Sequence, residues 1–170
     1  MEKTLKVLNE LERKGFIERY AIGGGIATLF YGEPVLTYDL DVFVFLPATK
    51  SSLVVLSPIY DTLRRKGYRE DKEHVIVEGI PVQFIPAYNL LVEEALREAC
   101  ELQYKRVKTR VLRAEHLLAV MLQTGRPKDK ARMTLFLEEA KIDQAKLTKI
   151  IKRHGLREAW SRFKKQLYET

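Results

Sequence analysis

The chain has a single cysteine among its 170 residues. Cys100 therefore has no partner for an internal disulfide, which excludes a disulfide scaffold and fits a reducing compartment. With no histidine beside it in sequence, it is expected to be a buried structural thiol rather than a nucleophile. Long hydrophobic runs are also missing. None approaches the roughly 18 residues that suggest a membrane-spanning helix, and no charged-then-apolar leader opens the chain. These absences set the expectation of a cytoplasmic protein with no membrane partner. No internal repeat and no low-complexity tract is present. The three histidines, His74, His116 and His154, are scattered without metal-ligand spacing.

What is present describes a globular chain. It is 46% hydrophobic and 31% charged, enough apolar material for a real core. Its length fits one domain, or one core with a small appendage. The net charge of +7 is unevenly spread. Residues 1–88 hold 11 Lys/Arg against 12 Asp/Glu, a net of −1, whereas residues 89–170 hold 19 against 11, a net of +8. A polyanion such as RNA would be drawn to the second half. A solvated, lysine-rich helical surface accounts for the same charge.

Leu5, Leu8 and Leu11 recur at three-residue spacing in residues 2–14, which predicts an amphipathic helix closed by Gly15. A strand is expected over 16–22, a glycine turn over 23–25, and a short helix over 26–31 stopped by Gly32 and Pro34. A second strand is expected over 37–46. Residues 53–56 are ambiguous, and Pro58 then opens a helix that Gly67 ends. Val75–Val77 and Ile80–Ile85 flank Glu78-Gly79 as a hairpin. From Asn89 the texture is helical, over 90–100, 114–123, 127 to near 140, a helix capped by Asp143 and ended by Gly155, and 156–168. An extra strand is expected over 104–112. The fold class is α+β: a small mixed β-sheet core with flanking helices over 1–88, followed by a mostly helical, basic part over 89–170.

The stretch Tyr20–Phe45 carries the chemistry. Gly23, Gly24 and Gly25 stand between a strand and a helix start, where backbone N–H groups can approach an anion. Asp39 and Asp41 then lead into an apolar strand. On a strand, alternate residues share a face at roughly 6.6 Å between Cα atoms. Two carboxylates held together there are costly unless a cation bridges them. Mg²⁺ suits the pair, because it prefers oxygen ligands and completes its shell with water and substrate phosphates.

Gly24-Gly25-Ile26-Ala27 followed by Thr37-Tyr38-Asp39-Leu40-Asp41 resembles the signature of the nucleotidyltransferase superfamily, the polymerase-β-like fold. Within it, the pattern is most like that of the minimal nucleotidyltransferases and the AbiEii-type toxin group. The resemblance implies a nucleotidyltransferase core in which Asp39 and Asp41 act in catalysis and hold Mg²⁺, while Gly24, Gly25 and Thr37 belong to the nucleotide site. Gly125-Arg126-Pro127-Lys128-Asp129 looks like a second family element, so Arg126, Lys128 and Asp129 are expected to face the phosphates of a nucleoside triphosphate such as ATP. A toxin–antitoxin role with a cognate antitoxin, and an RNA or tRNA partner for the basic half, are further implications.

One position departs from the pattern. Active members carry a third carboxylate on a later strand, and the matching run Ile80–Ile85 has Gln83 there. A glutamine can offer a carbonyl oxygen to a metal but cannot take a proton from an attacking hydroxyl. Glu73 and Glu78 are the nearest acids that could substitute. Three functions follow: an Mg²⁺-dependent enzyme moving an NMP from an NTP to a hydroxyl on RNA, protein or a small molecule; a catalytically impaired nucleotide-binding module or partner subunit of the same fold; or a plain RNA-binding protein. Lys128, Asp129 and Arg132 share a helix face as phosphate contacts or as a salt-bridged surface. Trp160 and Phe163 are expected to be core. Lys146, Lys149, Lys152 and Arg153 form a basic helix side.

Overall fold

The computed structural model describes residues 1–31, 37–48 and 55–168. The expected helix stop at Gly32 and Pro34 and residues 51–54 lie outside the described residues. The elements run α1 (Glu2–Arg13), β1 (Arg19–Gly23), α2 (Gly24–Leu29), β2 (Leu40–Phe45), α3 (Ser57–Arg65), β3 (Arg69–Asp71), β4 (His74–Val77), β5 (Ile80–Pro86), α4 (Leu90–Arg97), β6 (Cys100–Tyr104), β7 (Val107–Val111), α5 (Ala114–Thr124), α6 (Pro127–Glu139), α7 (Gln144–Arg153) and α8 (Arg157–Tyr168).

The strands form one seven-stranded mixed sheet in the order β3-β4-β5-β2-β1-β7-β6. β1 and β2 are antiparallel, with Gly23 opposite Asp41. β2 and β5 are parallel, with Asp41 opposite Gln83. β7 runs parallel to β1, and β6 continues the same sheet as an edge strand. The hairpin at Glu78-Gly79 forms as expected, with both residues at positive φ (52° and 82°), the geometry that matches the twist of the flanking strands.

The period of two along β2 divides the sheet's faces. Leu40, Val42 and Val44 are fully buried. They share a face with Tyr20, whose hydroxyl donates to Asn9 of α1 at 2.6 Å. Phe84, in register with Val42, packs edge-on against Tyr60 of α3 at 6.0 Å, so α3 covers the same face as α1. Asp41, Phe43 and Phe45 point the other way, toward α2 and α4. Behind that second face lies α5, buried on nearly every side from Ala114 to Leu122 and packed by α6, α7 and α8. A helix apolar all round belongs at the centre of a helical layer, and α5 serves as the post on which the later helices assemble.

Three expectations need correction. Asp39 precedes β2, which begins at Leu40, so the acid pair is not two alternate residues of one strand. The glycines are not a turn before the helix: Gly24 and Gly25 are its first two residues. Residues 90–100 are not all helix, because α4 ends at Arg97 and Cys100 opens β6, where the thiol is half-buried at a sheet edge rather than fully enclosed.

Candidate functional site

β1 delivers the chain to Gly23, and α2 starts at once. Gly24 holds φ +60°, and a Cβ there would collide with the Oδ2 atom of Asp41. A Cβ on Gly25 would come within 3.0 Å of both the Arg132 guanidinium and the Thr37 methyl. The glycines are thus where the Asp41 carboxylate, Thr37 and Arg132 close in on bare backbone, the close approach that only glycine permits.

Thr37 donates to Asp39 Oδ1 at 2.6 Å. This hydrogen bond, ahead of the opposing effect of partial burial, holds the Asp39 carboxyl below its ordinary range. Asp41 differs. Burial first, and the Asp39 charge second, push its carboxyl up, while Arg126, Lys128 and Arg132 pull it back. A buried carboxylate lifted by desolvation and by a neighbouring acid is short of positive charge, and a divalent cation between two such oxygens would relieve both effects. The donor set of carboxylate oxygens therefore fits Mg²⁺.

The cations come from α6. Pro127 sets the first turn, and Arg126, Lys128 and Arg132 all act on Asp41. Asp129, only 2% exposed, accepts from Arg126 at 2.6 and 3.2 Å and lies 4.0 Å from Arg132. It orients the arginines rather than facing the site as a free acid. Gln83 stands beside Asp41 on β5, at the position of the expected third carboxylate. Glu78 cannot replace it, since it sits at the far turn of the β4–β5 hairpin bonded to the Tyr68 hydroxyl at 2.8 Å. Glu73 lies 3.9 Å from His74 Nδ1.

His74 is the residue that sequence spacing missed. Its Nε2 lies 3.9 Å from Asp39 Oδ2, and both side chains help line a cleft of about 380 Å³ with Thr37, Lys72, Glu73 and Arg132. The signal was lateral: the hairpin register puts β4 beside β5, and β5 beside β2. A larger groove of about 730 Å³, lined by Asn9, Glu12, Glu18, Lys108 and Arg110, lies at the opposite end of β1 from Gly23. Arg110 is paired there with Glu12 at 2.9 Å and with Glu101 at 3.6 Å.

Among the described residues, one group of three acidic or imidazole side chains brings its donor atoms within 4.8 Å of one another: Glu94 and Glu98 of α4 with His116 of α5. Basic side chains of the protein already contact it. Arg153 lies 2.8 Å and His154 2.9 Å from Glu94, and Lys146 lies 2.8 Å from Glu98. This network ties α4, α5 and α7 together. His154 thus caps α7 and binds Glu94 at once. Trp160 stacks on Phe163 at 5.8 Å. With Lys152, Arg157 and Lys164 it borders a cleft of about 260 Å³ between α7 and α8.

The architecture is an α+β core, one seven-stranded mixed sheet with flanking helices, followed by a helical C-terminal part. No family model and no curated protein matches the sequence. Among solved structures, the fold is similar to that of an antigenic nucleotidyltransferase-like protein from Paracoccidioides brasiliensis, with a TM-score of 0.52 and 14% identity over 95% of this chain and 92% of that one. No helix among the described residues is long and apolar enough to cross a membrane.

Proposed function

We propose that the chain transfers a nucleoside monophosphate from an NTP to a hydroxyl acceptor, releasing pyrophosphate. The observation that carries this reading is the buried Asp41 carboxylate, pressed on Gly24 beside Asp39 and opposed by Arg126, Lys128 and Arg132. Mg²⁺ held by Asp39 and Asp41 would supply Lewis-acid charge at the α-phosphate and align the triphosphate. Thr37 keeps Asp39 ionised, and the Gly24–Gly25 backbone lets phosphate oxygens approach. Arg126, Lys128 and Arg132 offset the charge that collects on the leaving pyrophosphate. The acceptor oxygen bonds to the α-phosphorus as the bond to the β-phosphate bridging oxygen breaks, and the hydroxyl proton departs to solvent.

RNA is the acceptor class that the charge favours. The +8 of residues 89–170 includes Lys152, Arg157 and Lys164 around the Trp160 cleft, a combination of cations and an aromatic surface that suits single-stranded RNA. The finer likeness to AbiEii-type toxins rests on the Gly24–Ala27 and Thr37–Asp41 motif alone.

Incubation with each α-labelled NTP, Mg²⁺ and total RNA tests the reading. Label should pass to RNA, and Asp41→Ala should abolish transfer. If no label moves with RNA, protein lysate or small-molecule hydroxyls, the enzyme reading fails. Gln83 beside Asp41 favours one second reading, a nucleotide-binding subunit without turnover. Calorimetry would then show ATP–Mg²⁺ binding that Asp41→Ala removes.

A further inference from the structure

The sheet register leaves the acid pair one carboxylate short and brings an imidazole to its side. Asp41 on β2 is in register with Gln83 on β5, and Val82 of β5 is in register with Val75 of β4. His74 is the next residue of β4 beyond Val75, so it flanks Gln83 on the side away from Asp41. Its side chain reaches across β5 to place Nε2 3.9 Å from Asp39 Oδ2. The side chain is 19% exposed, and the Nε2 atom itself is buried without a hydrogen-bond partner. Buried polar atoms left in this state are rare and call for a missing partner. Asp39 Oδ1 is already taken by Thr37 at 2.6 Å, which leaves Oδ2 as the oxygen turned toward His74.

The separation is informative. It is too long for a hydrogen bond. Two donors each about 2.1 Å from one octahedral ion lie about 3.0 Å apart when adjacent and about 4.2 Å when opposite, so the 3.9 Å separation is a few tenths of an ångström short of the opposite arrangement. A first-row divalent ion could thus touch both atoms with little change in either side chain.

We infer that His74 is a metal ligand of this site beside Asp39, and that an imidazole in the donor set favours a first-row transition ion over Mg²⁺. The proposal rests on the nucleotidyl-transfer reading of the Asp39–Asp41 pair. Mg²⁺ favours oxygen-only shells, whereas first-row ions take mixed nitrogen and oxygen sites with an affinity that rises from Mn²⁺ onward. The basic side of the cleft, formed by Lys72 and Arg132, remains available for the phosphates that complete the shell.

The test reads the metal directly, on the full chain loaded with Mn²⁺ and without nucleotide. Pulsed EPR should detect ¹⁴N coupling from a bound imidazole, and labelling the histidines with ¹⁵N should change that signal. His74→Ala should remove it and weaken Mn²⁺ binding by about tenfold or more, the scale of loss seen even for groups that merely orient a metal ligand. Mg²⁺ binding should shift by less than about twofold, as expected for an ion indifferent to nitrogen. Because Mn²⁺ at the Glu94–Glu98–His116 cluster would give histidine coupling too, the wild-type signal counts for His74 only where Asp39→Asn removes it and His116→Gln leaves it, a criterion that survives a His74→Ala chain that folds poorly. Mn²⁺ binding that Asp39→Asn abolishes, but that lacks nitrogen coupling in the wild type, overturns the role of His74 and leaves the nucleotidyl site standing. Mn²⁺ binding that ignores Asp39→Asn, or no saturable binding, removes the underlying site reading and this proposal with it.

Discussion

Gly24 and Asp41 are packed so tightly that a methyl group on Gly24 would occupy the space of the Asp41 Oδ2 atom. The glycine is also left-handed, at φ +60°. Two separate costs therefore meet at one residue, and they can be told apart with a second glycine. Gly67 has φ +88° and open space where a Cβ would sit, so Gly67→Ala should cost only the backbone strain, about 1 kcal/mol. Gly24→Ala should cost about 2 kcal/mol or more and should also displace Asp41. Thermal melts measure the first difference, and loss of ATP–Mg²⁺ binding in Gly24→Ala alone measures the second.

Asp129 supports a different prediction, because it is buried while the cations it orients face the acid pair. Asp129→Asn adds a positive unit to the site but releases Arg126 and Arg132. If placement matters, nucleotide binding should weaken by about tenfold, equivalent to about 1.4 kcal/mol, and stability should fall by about 1.5–3 kcal/mol. Tighter nucleotide binding in this variant would mean that the arginines act through bulk charge alone.

Much of the fold was legible because local signals agreed with the tertiary packing. The leucines of α1, Pro127 at the start of α6, Asp143 accepting from the Lys146 amide at 3.0 Å, and Gly155 at φ +68° all act where they were expected. The missed strand β6 shows the limit. Its sequence, CELQY, has no apolar run, and it is held by pairing with Val107–Val111 rather than by its own propensity. The site divides in the same way. Gly24, Gly25, Asp39 and Asp41 were visible as a linear motif. Arg132 was visible as a candidate phosphate contact on the face of Lys128, but its approach to Gly25 comes from helix packing, and His74 reaches Asp39 through strand order, which no single stretch of sequence records.

The Glu94 network makes an acid-stability prediction. Burial raises the Glu94 carboxyl, but hydrogen bonds from Arg153, His154 and His116 outweigh it and bring the value down to about 2, from an ordinary 4.5. Burial likewise lowers His116 below its ordinary 6.5, against the pull of Glu94 and Glu98. In both cases the unfolded chain binds more protons than the folded one, so stability rises with pH. The His116 contribution is complete above pH 6.5 and fades below it. The Glu94 contribution is complete above pH 4.5 and fades toward pH 2. Melting temperature should therefore fall in two stages on acidification, and His116→Gln should flatten the upper stage. A wild-type melting temperature that is level from pH 7 to pH 5 would contradict the assignment.

The cleft between α7 and α8 offers a test of the partner. Lys152 and Lys164 border it beside Trp160. If single-stranded RNA lies there, the double change Lys152→Gln and Lys164→Gln should weaken binding. It should also reduce the slope of log K against log salt by about 1.4, roughly 0.7 for each phosphate no longer neutralised. Trp160→Ala should weaken binding while leaving that slope unchanged, since stacking releases no counterions. Filter binding at several salt concentrations separates the two, and equal slopes in all variants would move the RNA elsewhere.

Gln83 allows the central reading to be inverted. It stands in register with Asp41 on the neighbouring strand, in a row where burial and Asp39 already push the Asp41 carboxyl upward. Gln83→Asp adds a third carboxylate to that row. Without metal, the like charges should destabilise the chain by about 1–2 kcal/mol, and one or more of the acids should hold a proton at neutral pH. With millimolar Mg²⁺ the loss should be recovered, because an ion that binds only the folded site stabilises it in proportion to the logarithm of its concentration over Kd. The wild type should gain less from Mg²⁺ than the variant does. Transfer of labelled NMP should also rise, since the new carboxylate supplies both a metal ligand and a proton acceptor for the attacking hydroxyl. Melts with and without Mg²⁺ decide the matter even if no acceptor is known. A Gln83→Asp chain that is as stable as wild type and indifferent to Mg²⁺ would show that this row of side chains does not hold a metal.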